Sequence, residues 1–206
     1  ILGKRARKYL TDRGFNIKEL DRLGFGYCNK KFEGDEDQCY FGYIIIPCRM
    51  QGKLVYYIGR DYIGNFLRYK NPAKSDVGIG KADLIFNGDA LNMYDEAWVS
   101  EGWSDAMTIG ARGTATFGWS LSKTQFNLIL KSSCSTIVLT PDSGVDGQGV
   151  SFYDKALLLA SKIVRFKKVK VLDMGIFGAG ADVNSVGKKD TLELYNKTDF
   201  EDFTSI

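Results

Sequence analysis

The sequence predicts an α/β protein: a parallel sheet flanked by helices, preceded by a smaller mixed α+β unit. Three observations carry this. From residue 97 onward, short β-forming runs alternate with amphipathic helical stretches, the signature of parallel strands joined by right-handed crossovers. Ahead of that, two β-branched and aromatic runs flank Met50-Gln51-Gly52-Lys53, which reads as a hairpin turn. The acidic residues of the second half gather where the β-type runs end, the edge at which an open α/β sheet places its ligand.

Taken in order, residues 2–10, rich in Lys, Arg and Ala, are expected to form a short helix, 11–16 a turn around Gly14, and 17–23 a second helix stopped by Gly24. The acidic and polar stretch 32–40 is expected to be a loop, and 43–47 and 54–59 strands. Residues 60–80, with many Gly, Asn, Lys and Arg and with Pro72, read as a surface loop, and 83–86 as a short strand. Turn residues collect at 87–95, which sets a boundary between an N-terminal α+β basic subdomain, 1–94, and a second subdomain, 95–206. The second is expected to carry strands at 97–100, 114–117, 136–140 and 168–172, helices at 104–111, 122–131 and 150–164, a helical segment at 189–195 and a frayed or linker-like end at 199–206.

Composition removes several chemistries. There is no histidine, so mechanisms that need imidazole as base or metal ligand are excluded. The four cysteines, Cys28, Cys39, Cys48 and Cys134, form no CxxC pair, so no structural zinc site is expected within the chain. Dispersed thiols suit a reducing compartment. No apolar run reaches the ~18 residues of a membrane helix, and no signal-peptide pattern is present. The chain begins at Ile1 and is expected to be a piece of a longer protein. The glycine-rich stretch from Pro141 to Gly149 lacks the Gly-Lys-[Ser/Thr] ending of a phosphate-binding P-loop, and no nucleophile elbow surrounds Ser104.

Two constellations carry the remaining chemistry. Glu101 follows the run 97–100, with Asp105 one helical turn on. Asp142 follows the run 136–140, with Asp146 in the same glycine-rich turn, and Asp182 and Asn184 follow the fourth strand. Each acid alone suits a helix N-terminus, where it complements the dipole. Together they would repel one another unless a cation intervened, and oxygen-only donors suit Mg²⁺ or Mn²⁺. The second constellation is basic. Between Arg49 and Lys81 lie seven Lys/Arg against Asp61 and Asp76, interleaved with Tyr56, Tyr57, Tyr62, Phe66 and Tyr69. Rings that stack on bases and cations that track phosphates make such a mixture fit single-stranded nucleic acid, and a solvated basic face is the alternative.

At these residues the chain resembles the TOPRIM domain, and more fully the RNA-polymerase core of bacterial and phage DNA primases. The EGxxD block is Glu101-Gly102-Trp103-Ser104-Asp105, the small-residue turn is Ala115-Thr116-Phe117-Gly118-Trp119-Ser120, and the last block is Asp182-Val183-Asn184. The middle Asp-x-Asp block departs from the pattern: Asp142 matches, Gly144 stands where the second acid belongs, and Asp146 is the replacement. In the first half, the helix leading to Arg13-Gly14, the segment Phe25-Gly26-Tyr27, the strands ending at Pro47 and at Gly59-Arg60, the segment Arg68-Tyr69-Lys70-Asn71 and the region from Gly80-Lys81 resemble the primase series.

This resemblance implies a TOPRIM sheet and template-directed synthesis of short RNA primers on single-stranded DNA from NTPs. It implies Glu101, Asp105, Asp142, Asp146 and Asp182 as catalytic, with Glu101, Asp142, Asp146 and Asp182 holding two Mg²⁺ or Mn²⁺ ions. Arg60, Arg68, Lys70, Lys81 and Asn184 are implied to bind nucleotide or nucleic acid. The implied partners are a helicase, separate or fused, and a zinc ribbon elsewhere in the full chain. No membrane is involved, and the implied location is the cytoplasm of a bacterium or phage-infected cell. The alternatives are a TOPRIM nuclease or topoisomerase-like enzyme, and a non-catalytic DNA-binding or recombination-mediator module.

Overall fold

The computed structural model describes residues 3–28, 40–65 and 67–202. The expected loop at 32–39, Phe66 and the end at 203–206 lie outside the described residues. The chain divides into two compact units, Ile1–Lys81 and Ala82–Ile206.

The first unit opens with α1 (Lys4–Asp12) and α2 (Ile17–Leu23), followed by an antiparallel sheet in the order β1 (Gly26–Tyr27), β2 (Tyr43–Met50), β3 (Lys53–Asp61), β4 (Tyr69–Lys70). The Asn16 side chain caps α2 by accepting from the Lys18 and Glu19 amides. In the β2–β3 hairpin Gln51 and Gly52 both take positive φ, 51° and 75°, between the paired Met50 and Lys53. Two successive left-handed residues twist the turn with the strands. The stretch 60–80, expected as a loop, contains β4 and the single turn α3 (Lys74–Val77). The reason lies at Gly59, where a Cβ would come 2.8 Å from the Lys70 carbonyl oxygen; only glycine lets β4 close on β3.

The second unit is built on a parallel sheet of order β6-β5-β7-β8, with β5 Glu96–Ser100, β6 Gly113–Ala115, β7 Thr136–Thr140 and β8 Lys168–Val171. Strand alternation sends Ala97, Val99, Ile137, Leu139, Val169 and Val171 to one face, packed with Ile129 of α6 (Lys123–Lys131) and Ala156, Ala160 and Ile163 of α7 (Phe152–Ile163). Trp98, Val138 and Leu172 go to the other face, with Ile109 of α5 (Trp103–Ile109), Val183 of α8 (Val183–Val186) and Leu194 of α9 (Lys188–Lys197). Residues 82–94, which the sequence assigned to the first subdomain, pack with the second unit. Ile85 and Leu91, the latter in α4 (Ala90–Met93), are buried in its core, and burial outweighs the turn chemistry around them. The expected strand at 83–86 reduces to one bridge between Phe86 and Ala115. Among the described residues no helix is long and apolar enough to cross a membrane.

Candidate functional site

β5 and β7 lie side by side in register, Ser100 opposite Thr140. From β5 the chain runs through α5 to β6 on one side, then returns through α6 to β7 on the other. That divergence opens a crevice at the strands' carboxyl ends, the usual ligand position in such sheets. Glu101 is the first residue past β5 and Asp142 the second past β7, and both are partly buried. The main chain at Glu101 is fixed, because its carbonyl accepts from the Phe117 amide at 2.9 Å while the Ser100 carbonyl accepts from Thr116 at 3.2 Å. Phe117 reaches this position with φ +61°, a left-handed conformation that costs a non-glycine residue about 1–2 kcal/mol.

Asp105, in the first turn of α5, is 3% exposed, and its Oδ1 accepts from the Asn184 amide at 3.0 Å. Asn184 Nδ2 donates to Thr108 Oγ1 at 2.9 Å. The two bonds tie α8 to α5. Gly102 makes room for this, since a Cβ there would come 2.7 Å from Asp105 Oδ2. Asp182 caps α8, its Oδ1 accepting from the Ser185 amide at 2.6 Å, and its Oδ2 has no partner among the described residues. The Ser143 amide donates to the Ala181 carbonyl at 2.7 Å, so the segments carrying Asp142 and Asp182 run together.

Asp146 is differently placed. One oxygen accepts from the amides of Gln148 at 2.8 Å and Val150 at 3.0 Å, and the other is bound to the ammonium of Lys155 on α7. The Lys155 bond first, then the two amides, hold its carboxyl down to about 2. The sequence put Asp146 among the cation ligands; here its partners are the lysine and its own turn. The structure thus brings Glu101, Asp142 and Asp182 to one edge, buries Asp105 against α8 and latches Asp146 to α7.

Do these donors fit a divalent cation? Their chemistry does, being carboxylate oxygen throughout, with Asp182 Oδ2 unpartnered at the crevice edge. Their present spacing is open: among the described residues no three His, Cys, Asp or Glu side chains converge closely enough to hold an ion.

In the first unit, Arg60 and Tyr69 face each other across β3 and β4. The Arg60 guanidinium lies 4.8 Å from the Tyr69 ring centre and 5.9 Å from that of Tyr9, whose hydroxyl accepts from its Nε at 2.9 Å. Arg60 is 9% exposed and its buried Nη1 has no partner among the described residues. Arg68 and Lys81 are exposed, and Lys70, half-buried, sits 5.4 Å from the Tyr40 ring centre. Of the four predicted cations, Arg60 is built into the sheet, Lys70 is half-buried on β4, and Arg68 and Lys81 are exposed.

Sequence reasoning assigned no role to Thr108 or Lys155, and it placed Phe117 in the small-residue turn without its bond to the Glu101 carbonyl. Thr108 sits one turn beyond Ser104 on the helix that carries Asp105, a spacing that could have flagged it. Lys155 lies nine residues from Asp146 with no local signal.

No protein-family model matches the sequence, and no curated protein does. Solved structures do. The chain is similar to the zinc-binding and RNA-polymerase domains of the Aquifex aeolicus primase, with TM-score 0.76 and 18% identity over 97% of this chain and 57% of that one. It is similar to a DnaG primase catalytic domain bound to single-stranded DNA, with TM-score 0.73 and 15% identity over 96% of this chain and 72% of the other. The primase fragment of the bacteriophage T7 primase-helicase protein gives TM-score 0.58 and 18% identity, covering 89% of this chain and 72% of that one. The chain therefore spans a little over half of the Aquifex chain and about three quarters of the others. Two units in this order, with acids at the carboxyl edge of a β6-β5-β7-β8 sheet, have the fold of a DNA primase catalytic core.

Proposed function

We propose that the chain is the catalytic core of a DNA primase, making short RNA primers on single-stranded DNA from NTPs. The observation that carries this reading is the placement of Glu101 and Asp142 just past the paired ends of β5 and β7, with the segment of Asp182 hydrogen-bonded beside that of Asp142, in a fold shared with primase cores. Those three carboxylates would hold Mg²⁺ or Mn²⁺. When bound, divalent ions neutralise the phosphates and ease deprotonation of a 3′-hydroxyl.

The protein's own part is positioning, since phosphoryl transfer asks little covalent work of the side chains. Glu101 and Asp142 offer acceptor oxygens from adjacent strand ends whose backbones are hydrogen-bonded in place. Glu101 is also the candidate acceptor of the 3′-hydroxyl proton. Asp105 and Asn184 act through α8, setting the orientation of Asp182. Asp146 keeps the turn after Asp142 closed through Lys155. Arg60, Arg68, Lys70 and Lys81 would meet template and nucleotide phosphates, which fixes register without reading sequence. A helicase and a zinc ribbon in the full protein are the partners this reading calls for.

The test is incubation with a single-stranded template, NTPs and Mg²⁺ or Mn²⁺. Short RNA that disappears in Asp142→Asn is the expected result. Cleaved DNA without synthesis would replace this reading with a TOPRIM nuclease. Binding with neither product would favour a mediator module, the reading that the engaged states of Asp105 and Asp146 support.

A further inference from the structure

The second unit carries another recess beside the acidic edge, on the face of the sheet covered by α6 and α7. Between α6 and α7, beneath the loop that follows β6, lies a cavity of about 510 Å³. Its apolar floor includes Phe126 and Leu158, and Leu158 is 61% exposed. Along α7 the lining residues Lys155, Leu158, Leu159 and Lys162 recur at i, i+3, i+4 and i+7, so one helix face turns toward the groove. Lys123 lies across from it at the start of α6. Among the described residues that line the cavity none is acidic. Trp119 also lines it, is 7% exposed, and its buried indole N–H has no acceptor among the described residues. An unanswered donor of this kind costs stability unless something supplies an oxygen.

We propose that this groove is a docking site for an acidic amphipathic helical segment of a partner protein. Its apolar side chains would seat on Leu158 and Phe126, its carboxylates would face Lys123 and Lys162, and one polar acceptor would meet the Trp119 N–H. Lys155 is already bound to Asp146, so Lys123 and Lys162 carry the charge complementarity. The chemistry favours peptide over nucleic acid. Base stacking needs an open ring face, and Trp119 and Phe126 are buried or partly buried, whereas the exposed part of the floor is aliphatic. A helix laid in a groove uses an aliphatic floor with a charged rim. The proposal does not depend on primer synthesis.

The probe is a fluorescein-labelled helical peptide of about four turns, with Leu at i, i+3, i+4 and i+7 and Glu elsewhere. Its anisotropy is titrated with the full chain. Binding is expected to weaken at least about tenfold, or about 1.4 kcal/mol, in the double variant Lys123→Glu/Lys162→Glu and when Gln replaces Glu in the peptide. Both lysines are exposed, so folding is unaffected, as far-UV circular dichroism will check. Trp119→Phe should weaken binding severalfold, and Arg68→Ala/Lys70→Ala should leave it unchanged. Absence of binding, equal affinity for the Gln peptide, insensitivity to the Lys123/Lys162 reversal or loss of binding only in the Arg68/Lys70 variant would each overturn the proposal. So would a single-stranded oligonucleotide that binds this groove in the peptide's place and is lost with the same two lysines.

Discussion

The hydroxyls of Ser100 and Thr140 lie 2.7 Å apart, fully buried, on the last residues of β5 and β7. They join the two strands immediately below Glu101 and Asp142. Thr140 Oγ1 has a second acceptor within reach, the Val99 carbonyl at 3.4 Å. The bond can therefore be broken from either side with different results. Thr140→Val leaves the Ser100 hydroxyl buried without this partner and should cost about 1–3 kcal/mol. Ser100→Ala should cost less, because Thr140 can turn to Val99. The double variant should recover much of the Thr140→Val loss. Urea midpoints of the four proteins give the coupling directly.

Gly102 is held by space rather than by conformation. Its φ of −102° suits any residue, yet a Cβ would press on Asp105 Oδ2. Gly102→Ala should loosen the Asp105–Asn184 bond and lower the proposed primer synthesis at least about tenfold, while stability falls by about 1–3 kcal/mol. An alanine variant with undiminished synthesis would show that the placement of α8 does not matter to the site.

The Asp146 carboxyl, held at about 2 by Lys155 and the turn amides, makes its contribution above its ordinary value near 3.8. That contribution is lost as the pH falls from about 4 toward 2, because protonation breaks the Lys155 bond. Thermal midpoints between pH 5 and pH 2 should fall more steeply for the wild type than for Asp146→Asn. Parallel curves would show that the bond contributes nothing in solution.

Arg68 and Lys70 stand near the surface of the β3–β4 sheet and are expected to neutralise two phosphates. Replacing both with Ala should reduce the slope of log affinity against log salt for single-stranded DNA by about 1.4. Weaker binding with an unchanged slope would mean that they act through the neighbouring rings instead.

Much of the fold was legible because local chemistry and burial agree. Residues 17–23 and 136–140 form the expected helix and strand to the residue, since Asn16 and Gly24 bound the one and an unbroken apolar run with turn residues on each side defines the other. β4 was not legible. Tyr69 and Lys70 have no strand signature, and what makes them a strand is the missing side chain of Gly59 ten residues earlier. The same holds for the boundary, where Ile85 and Leu91 belong to a core defined mainly by residues beyond 97. At the candidate site, the positions of Glu101 and Asp142 just past β5 and β7 followed from the sequence, because strand ends are local features. It could not identify what each acid touches. The engagement of Asp105 by Asn184 and of Asp146 by Lys155 spans 79 and 9 residues, distances at which spacing carries no information.

Lys155 gives the glycine-rich turn an internal counter-ion. A loop with Gly144, Gly147 and Gly149 loses much conformational entropy when it is ordered. Here a side chain of α7 imposes that order within the fold itself, so the proposed ion or nucleotide would meet a turn already in place. Folding and refolding in a chelating buffer should therefore yield the same ordered loop, and affinity for an anionic substrate should not carry the cost of organising it.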